Sequence, residues 1–144
     1  MNINKIIILA IAIFASFFIS GCKKDAANRT DPNSLIVGSW RLVQTGSDVN
    51  GNDKLDPGEN NNLPANYIRT DTYNANKTGR SVVQLPTANS STEDFTYTSI
   101  ADNNLKLIIS GSVKNYKIIT LNNTSLVFYE VNTDPHQIFA FTKQ

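Results

Sequence analysis

From Gly38 to the end of the chain, apolar residues recur at alternate positions in short runs, and each run stops at a cluster of Gly, Pro, Asn, Asp or Ser. Alternation of this kind marks strands with one face in a core, and the clusters mark turns. Eight runs can be placed: about Gly38 to Thr45, Asn66 to Tyr73, Arg80 to Leu85, Asp94 to Ser99, Leu105 to Ile109, Val113 to Leu121, Ser125 to Val131 and Gln137 to Lys143. Pro86 to Thr92 reads as a breaker cluster between the third and fourth. No helical period is sustained over ten residues after the leader. The expectation is an all-β domain over residues 35–144, an eight-stranded antiparallel up-and-down barrel or closed sandwich, because closure removes exposed strand edges.

The head of the first run adds a constraint. Leu35-Ile36-Val37-Gly38-Ser39-Trp40 brings a short apolar approach, a glycine and the only tryptophan to the point where patterned sequence begins. The glycine lets the chain bend under a barrel, and the indole is expected to plug its end. In Ile118-Ile119, Val127-Phe128-Tyr129 and Phe139-Ala140-Phe141 apolar residues fall on both faces, so part of the outer surface is expected to be covered by the long loop or a partner.

Before the domain, Met1 to Lys5 gives a short start with one positive charge, and Ile6 to Ile19 is apolar apart from Ser16. A run this short reads as a signal peptide over residues 1–21 and not as a membrane span. Ile19-Ser20-Gly21-Cys22 resembles the lipobox of bacterial lipoproteins, which implies cleavage before Cys22 and acylation of its sulfur with palmitate-type chains. Lys23 after the cysteine implies sorting to the outer membrane of a Gram-negative cell, facing the periplasm or the surface. Residues 22–34 then form a lipidated, flexible linker without periodicity. The expected location is the cell envelope, with membrane lipid as the first partner.

Thirteen basic residues less Lys5 of the leader leave 12 against 12 acidic ones, so no basic field is present to hold nucleic acid. One cysteine, committed to lipidation, and one histidine, His136, leave little for catalysis or for a multi-cysteine zinc site. No enzyme is expected.

The long interval after the first strand carries the one metal-like motif. Asp48-Val49-Asn50-Gly51-Asn52-Asp53-Lys54-Leu55-Asp56-Pro57-Gly58-Glu59 resembles a twelve-position EF-hand-type calcium loop. Asp48, Asn50 and Asn52 fall at positions one, three and five, the Lys54 carbonyl at seven, Asp56 at nine and Glu59 at twelve, while position six is Asp53 where the motif has glycine. The alternative is a solvated loop of Asx turns reversed at Pro57-Gly58.

Gly38-Ser39-Trp40 at the head of eight strands, the Tyr73 to Gly79 hairpin, and the later strands Leu105-Lys106-Leu107, Tyr116-Lys117-Ile118 and Leu126-Val127-Phe128 resemble the small lipocalin-like domain of many bacterial lipoproteins. The resemblance implies a barrel whose mouth binds a small apolar molecule, with Tyr67, Tyr73, Phe95, Tyr97, Tyr116, Phe128 and Phe139 as candidate lining residues. It also implies an arginine set against the tryptophan, where this sequence has Lys143-Gln144. A non-catalytic structural or interaction module, stiffened by calcium and acting through its loops on an envelope protein or glycan, is the alternative.

Overall fold

The computed structural model describes residues 31–85 and 88–144, so the expected signal peptide, Cys22 and the linker up to Thr30 lie outside the described residues. Residues 31–34, expected as the end of the linker, enter a capped helical turn, α1 (Pro32–Leu35). The Asp31 side chain accepts the N–H of Asn33 at 3.0 Å, and Pro32 occupies the first turn, where a missing N–H costs nothing. Asn33 then ties the turn to the domain: its Oδ1 accepts from the Ile100 N–H at 2.8 Å and from Lys77 Nζ at 3.1 Å.

Among the described residues nine strands follow: β1 (Gly38–Asp48), β2 (Asn60–Asn61), β3 (Ile68–Tyr73), β4 (Thr78–Leu85), β5 (Ala88–Tyr97), β6 (Asn104–Ile109), β7 (Ser112–Leu121), β8 (Ser125–Glu130) and β9 (His136–Lys143). Leaving aside the two-residue β2, which pairs with Thr45 and Gly46, eight strands join their neighbours in sequence order, and β9 returns to pair with β1. Every pairing is antiparallel, which gives the closed up-and-down barrel that the alternation predicts.

Two strands run further than expected. β1 continues to Asp48 because β9 pairs along its whole length, with a register shift between Leu42 and Gln44 that exchanges the inward and outward sets. β5 begins at Ala88, so Ser91 and Thr92, expected within a breaker cluster, pair with Val83 and Val82. Asn89 to Asp94 are exposed and include no Gly or Pro, so the ladder to β4 orders them without a buried face.

The inward face forms two tiers. At the end closed by α1, Trp40 is fully buried and its indole Nε1 donates to the Ile36 carbonyl at 2.7 Å. Lys143 stands over the indole at 5.0 Å and donates to the Leu35 carbonyl at 3.0 Å, taking the place where the resemblance implies an arginine. Beside this plug at the closed end, Tyr73, paired with Gly38, packs edge-on against Phe95 and Tyr97 at 5.2 and 5.3 Å. Gly79 makes the packing possible, since a Cβ there would lie 2.2 Å from the Phe95 ring.

The outer cover lies beside the segments expected to be covered and not over them, for Ile119 is exposed and Val127, Tyr129 and Ala140 are half-buried. Gly46 faces outward beside Ile138, which is buried outside the barrel core. The long loop folds back here: the Glu59 carbonyl accepts the Ser47 N–H at 3.2 Å, and a Cβ on Gly46 would lie 2.8 Å from the Leu55 side chain.

Candidate functional site

The connections between β1 and β3, β6 and β7, and β8 and β9 gather at the end opposite α1, termed the mouth. Along β3, Arg69, Asp71 and Tyr73 occupy successive inward positions from the mouth toward the plug, because side chains two apart share a face. Asp71 is 1% exposed. Its carboxylate accepts a forked pair from Arg69, Nε at 3.0 Å and Nη2 at 2.8 Å, and a third bond from the Ser81 hydroxyl at 2.6 Å. The Arg69 guanidinium lies 5.7 Å from both the Phe139 and Phe141 rings, and a quarter of its side chain remains open to solvent. Burial works against its charge, but Asp71 outweighs that and holds the guanidinium above its ordinary pKa.

A second aromatic group completes the mouth. Phe128 packs against Tyr116 at 4.8 Å, Phe139 at 5.8 Å and Phe141 at 5.4 Å. The Tyr116 hydroxyl is pushed up to about 12, first by burial and then by the Glu130 carboxylate, with Asp71 and Glu93 adding and Arg69 opposing. Glu130 is paired with Lys114 at 2.7 Å. At the rim, Gln137 donates to the Ser47 hydroxyl.

The structure thus brings six of the seven expected lining residues into two interior groups, Tyr73, Phe95 and Tyr97 in the lower one and Tyr116, Phe128 and Phe139 in the upper one. Tyr67, half-buried, packs against the same core from the mouth loop. A groove of about 740 Å³ lies elsewhere, across the outer face of β3 to β6, among Thr72, Arg80, Asp94, Thr96 and Ile108. It is open and lined mostly by outward positions, with Gly79 and the edge of Phe95 at its floor, so the inward polar cluster at the mouth is the better candidate. Sequence reasoning passed over Arg69, Asp71 and Ser81, although their spacing from Tyr73 and Gly79 places all three on the inward face.

The calcium-like loop lies outside the barrel wall. Asp48 accepts the N–H groups of Gly51 at 2.8 Å, Asn52 at 3.1 Å and Asp53 at 2.7 Å. Glu59 accepts those of Val49 at 3.0 Å, Asn50 at 3.3 Å and Asp56 at 2.9 Å. The Asn50 and Asn52 amides donate to Asp56 at 2.8 and 2.7 Å and hold its carboxyl below the ordinary carboxylate range. Asp53, at the position where the motif has glycine, takes φ 58°, the left-handed conformation that glycine serves and that aspartate tolerates. The donor set of two Asp, one Glu, two Asn and the Lys54 carbonyl fits a hard cation, provided the Asn side chains turn their oxygens where they now present N–H. His136 comes to this loop as well, 3.6 Å from Asp53 and stacked on Tyr129 at 4.2 Å. Its pairing opposite Asp48 across β1 and β9 is the signal that would have found it.

Solved structures that share this architecture include two from Bacteroides. A lipocalin-like protein from Bacteroides uniformis superposes with a TM-score of 0.58 at 12% identity, over 76% of this chain and 99% of that one. An uncharacterized protein from Bacteroides eggerthii superposes with a TM-score of 0.53 at 9% identity, over 75% of this chain and 98% of that one. At such identities the likeness is one of fold. No curated protein sequence matches the chain. The model of the lipocalin-like domain matches residues 36–128, well over half of the sequence, and the protein belongs to the lipocalin-like domain family.

Proposed function

We propose that the protein is a non-catalytic binding module of the cell envelope, held at the outer membrane of a Gram-negative cell through acylated Cys22, that takes a small amphipathic molecule at the barrel mouth. The observation that carries this reading is the Arg69–Asp71 pair inside the barrel, with a quarter of the Arg69 side chain open to solvent at the end away from the Trp40 plug. A buried ion pair is a weak stabiliser, and well-packed apolar residues would serve a merely filled barrel as well or better. Its placement away from the plug, over the Phe139 and Phe141 rings, supports a recognition role. His136 lies on the outward face with Asp48, away from this interior, which supports a role without catalysis.

The test is native mass spectrometry and organic extraction of the protein purified from envelopes. A stoichiometric small amphiphile, lost in the Arg69→Ala variant and retained in Arg80→Ala, is expected. Recovery of equal amounts from both variants, or of nothing from either, would refute binding at the mouth.

A second reading concerns the Asp48 to Glu59 loop, for which the left-handed Asp53 and the carboxylates already wired into one turn give specific support. Calcium would stiffen a flap that covers Gly46 and Ile138 and so present a surface to an envelope protein or glycan. At ten to a hundred times the dissociation constant, calcium should add roughly 1.4–2.7 kcal/mol to folding stability. Melting in calcium against a chelator checks this: a rise in Tm that vanishes in Glu59→Gln supports the metal, and an unchanged Tm at millimolar calcium removes it.

A further inference from the structure

We propose that the mouth selects an amphiphile whose head is an uncharged hydrogen-bond acceptor, such as an ester, amide or glyceride carbonyl, over a carboxylate or ammonium of the same chain length. This rests on the mouth being a binding site, as proposed above. Among the described residues one fully buried side-chain polar atom has no partner, the Tyr73 hydroxyl. Burial first, and Asp71 second, hold its pKa well above the ordinary value, so the group stays protonated and remains a donor in want of an acceptor. Arg69, four residues along β3 nearer the mouth, spends Nε and Nη2 on Asp71, and the rest of its fork is a second source of donors. A ligand that satisfies this pair of residues must bring an acceptor.

Charge then decides which acceptor. Arg69 and Asp71 cancel, and Lys114 and Glu130 cancel at 2.7 Å. Glu93, exposed at the inward position opposite Ser81, is left over, so these five inward-facing charges sum to minus one. An anionic head would lose its hydration against that field and against the buried Asp71, while an ammonium head would bring no acceptor to Tyr73. A neutral carbonyl meets the donors without either penalty. The tail then lies on Tyr67, Phe139 and Tyr116, the aromatic wall of the upper tier.

The buried core lies wholly within residues 36–141, so the chain from residue 22 carrying Cys22→Ser folds without an acyl chain that would compete for the mouth. Calorimetric titration of this protein with 1-decanoylglycerol, decanoate and decyltrimethylammonium, each below its micelle concentration, compares the three heads at one tail length. The glyceride should bind at least about tenfold tighter than either ion. Tyr73→Phe should weaken the glyceride about tenfold while leaving the Tm unchanged or higher, since it removes a buried hydroxyl without a partner. Equal or tighter binding of decanoate or of the ammonium, or an unaltered glyceride affinity in Tyr73→Phe, would overturn the selection rule and leave the mouth as a binding site. Failure of all three probes to bind would overturn the binding reading itself.

Discussion

Replacing Trp40 with alanine is expected to cost about 3–5 kcal/mol of folding stability, the range for removing a large buried aromatic side chain. Three losses coincide there. The indole is fully buried, its Nε1 satisfies the Ile36 carbonyl at 2.7 Å, and its face carries the Lys143 ammonium at 5.0 Å. A small domain holds about 5–15 kcal/mol in all, so the variant should melt at least about 10 °C lower. Circular dichroism in urea checks this, because fluorescence loses its one tryptophan with the substitution. Trp40→Phe separates packing from the polar contact: it keeps most of the ring but orphans the Ile36 carbonyl, for an expected loss of about 1–3 kcal/mol. If Trp40→Ala falls within the roughly 0.5 kcal/mol typical of surface changes, the indole is not the plug of the barrel. The plug also bears on the proposed function, since α1 and Trp40 close the end opposite the exposed edge of Arg69.

Much of this barrel is legible in the sequence because its inward residues are large, apolar and spaced by two. Tyr73, Phe95, Tyr97, Leu105, Leu107 and Phe128 all follow that rule and are all buried. Gly38-Ser39-Trp40 points to the plug for the same reason, a unique large side chain after a bend. The legibility fails where a polar residue occupies an inward position. Arg69 and Asp71 share the face of Tyr73, yet a sequence alone does not say that their charges meet each other and the Phe139 and Phe141 rings. It fails again at the register shift after Leu42, which turns Thr45 inward and Gly46 outward, so a simple alternation from Trp40 assigns the end of β1 to the wrong faces. Asn89 to Asp94 mislead in the opposite sense: exposed on both faces, they carry no hydrophobic period and are ordered by their ladder to β4. The calcium-like loop is local in sequence, so its register is legible, whereas the arrival of His136 from β9 depends on barrel closure.

Asp71→Ala should be the second severe variant, and the comparison with a double replacement makes it informative. The single change leaves the Arg69 guanidinium over two aromatic rings without its forked partner and frees the Ser81 hydroxyl, which bonded to Asp71 at 2.6 Å. Breaking a buried pair from one side costs about 3–5 kcal/mol, and because a quarter of Arg69 remains open to solvent the lower end is expected. Arg69→Met with Asp71→Leu removes both charges together and fills similar volume, so it should return to within about 1.5 kcal/mol of the parent. A double-mutant cycle on the two positions, with Arg69→Met and Asp71→Leu as its single arms, should then report a coupling of more than about 1 kcal/mol. The double variant is the useful protein, for it should fold well and yet lose the neutral-headed probe at the mouth. Retained binding there would show that the pair serves the fold alone, and equal instability in the single and double variants would place the role of Asp71 in its bond to Ser81 and not in its charge.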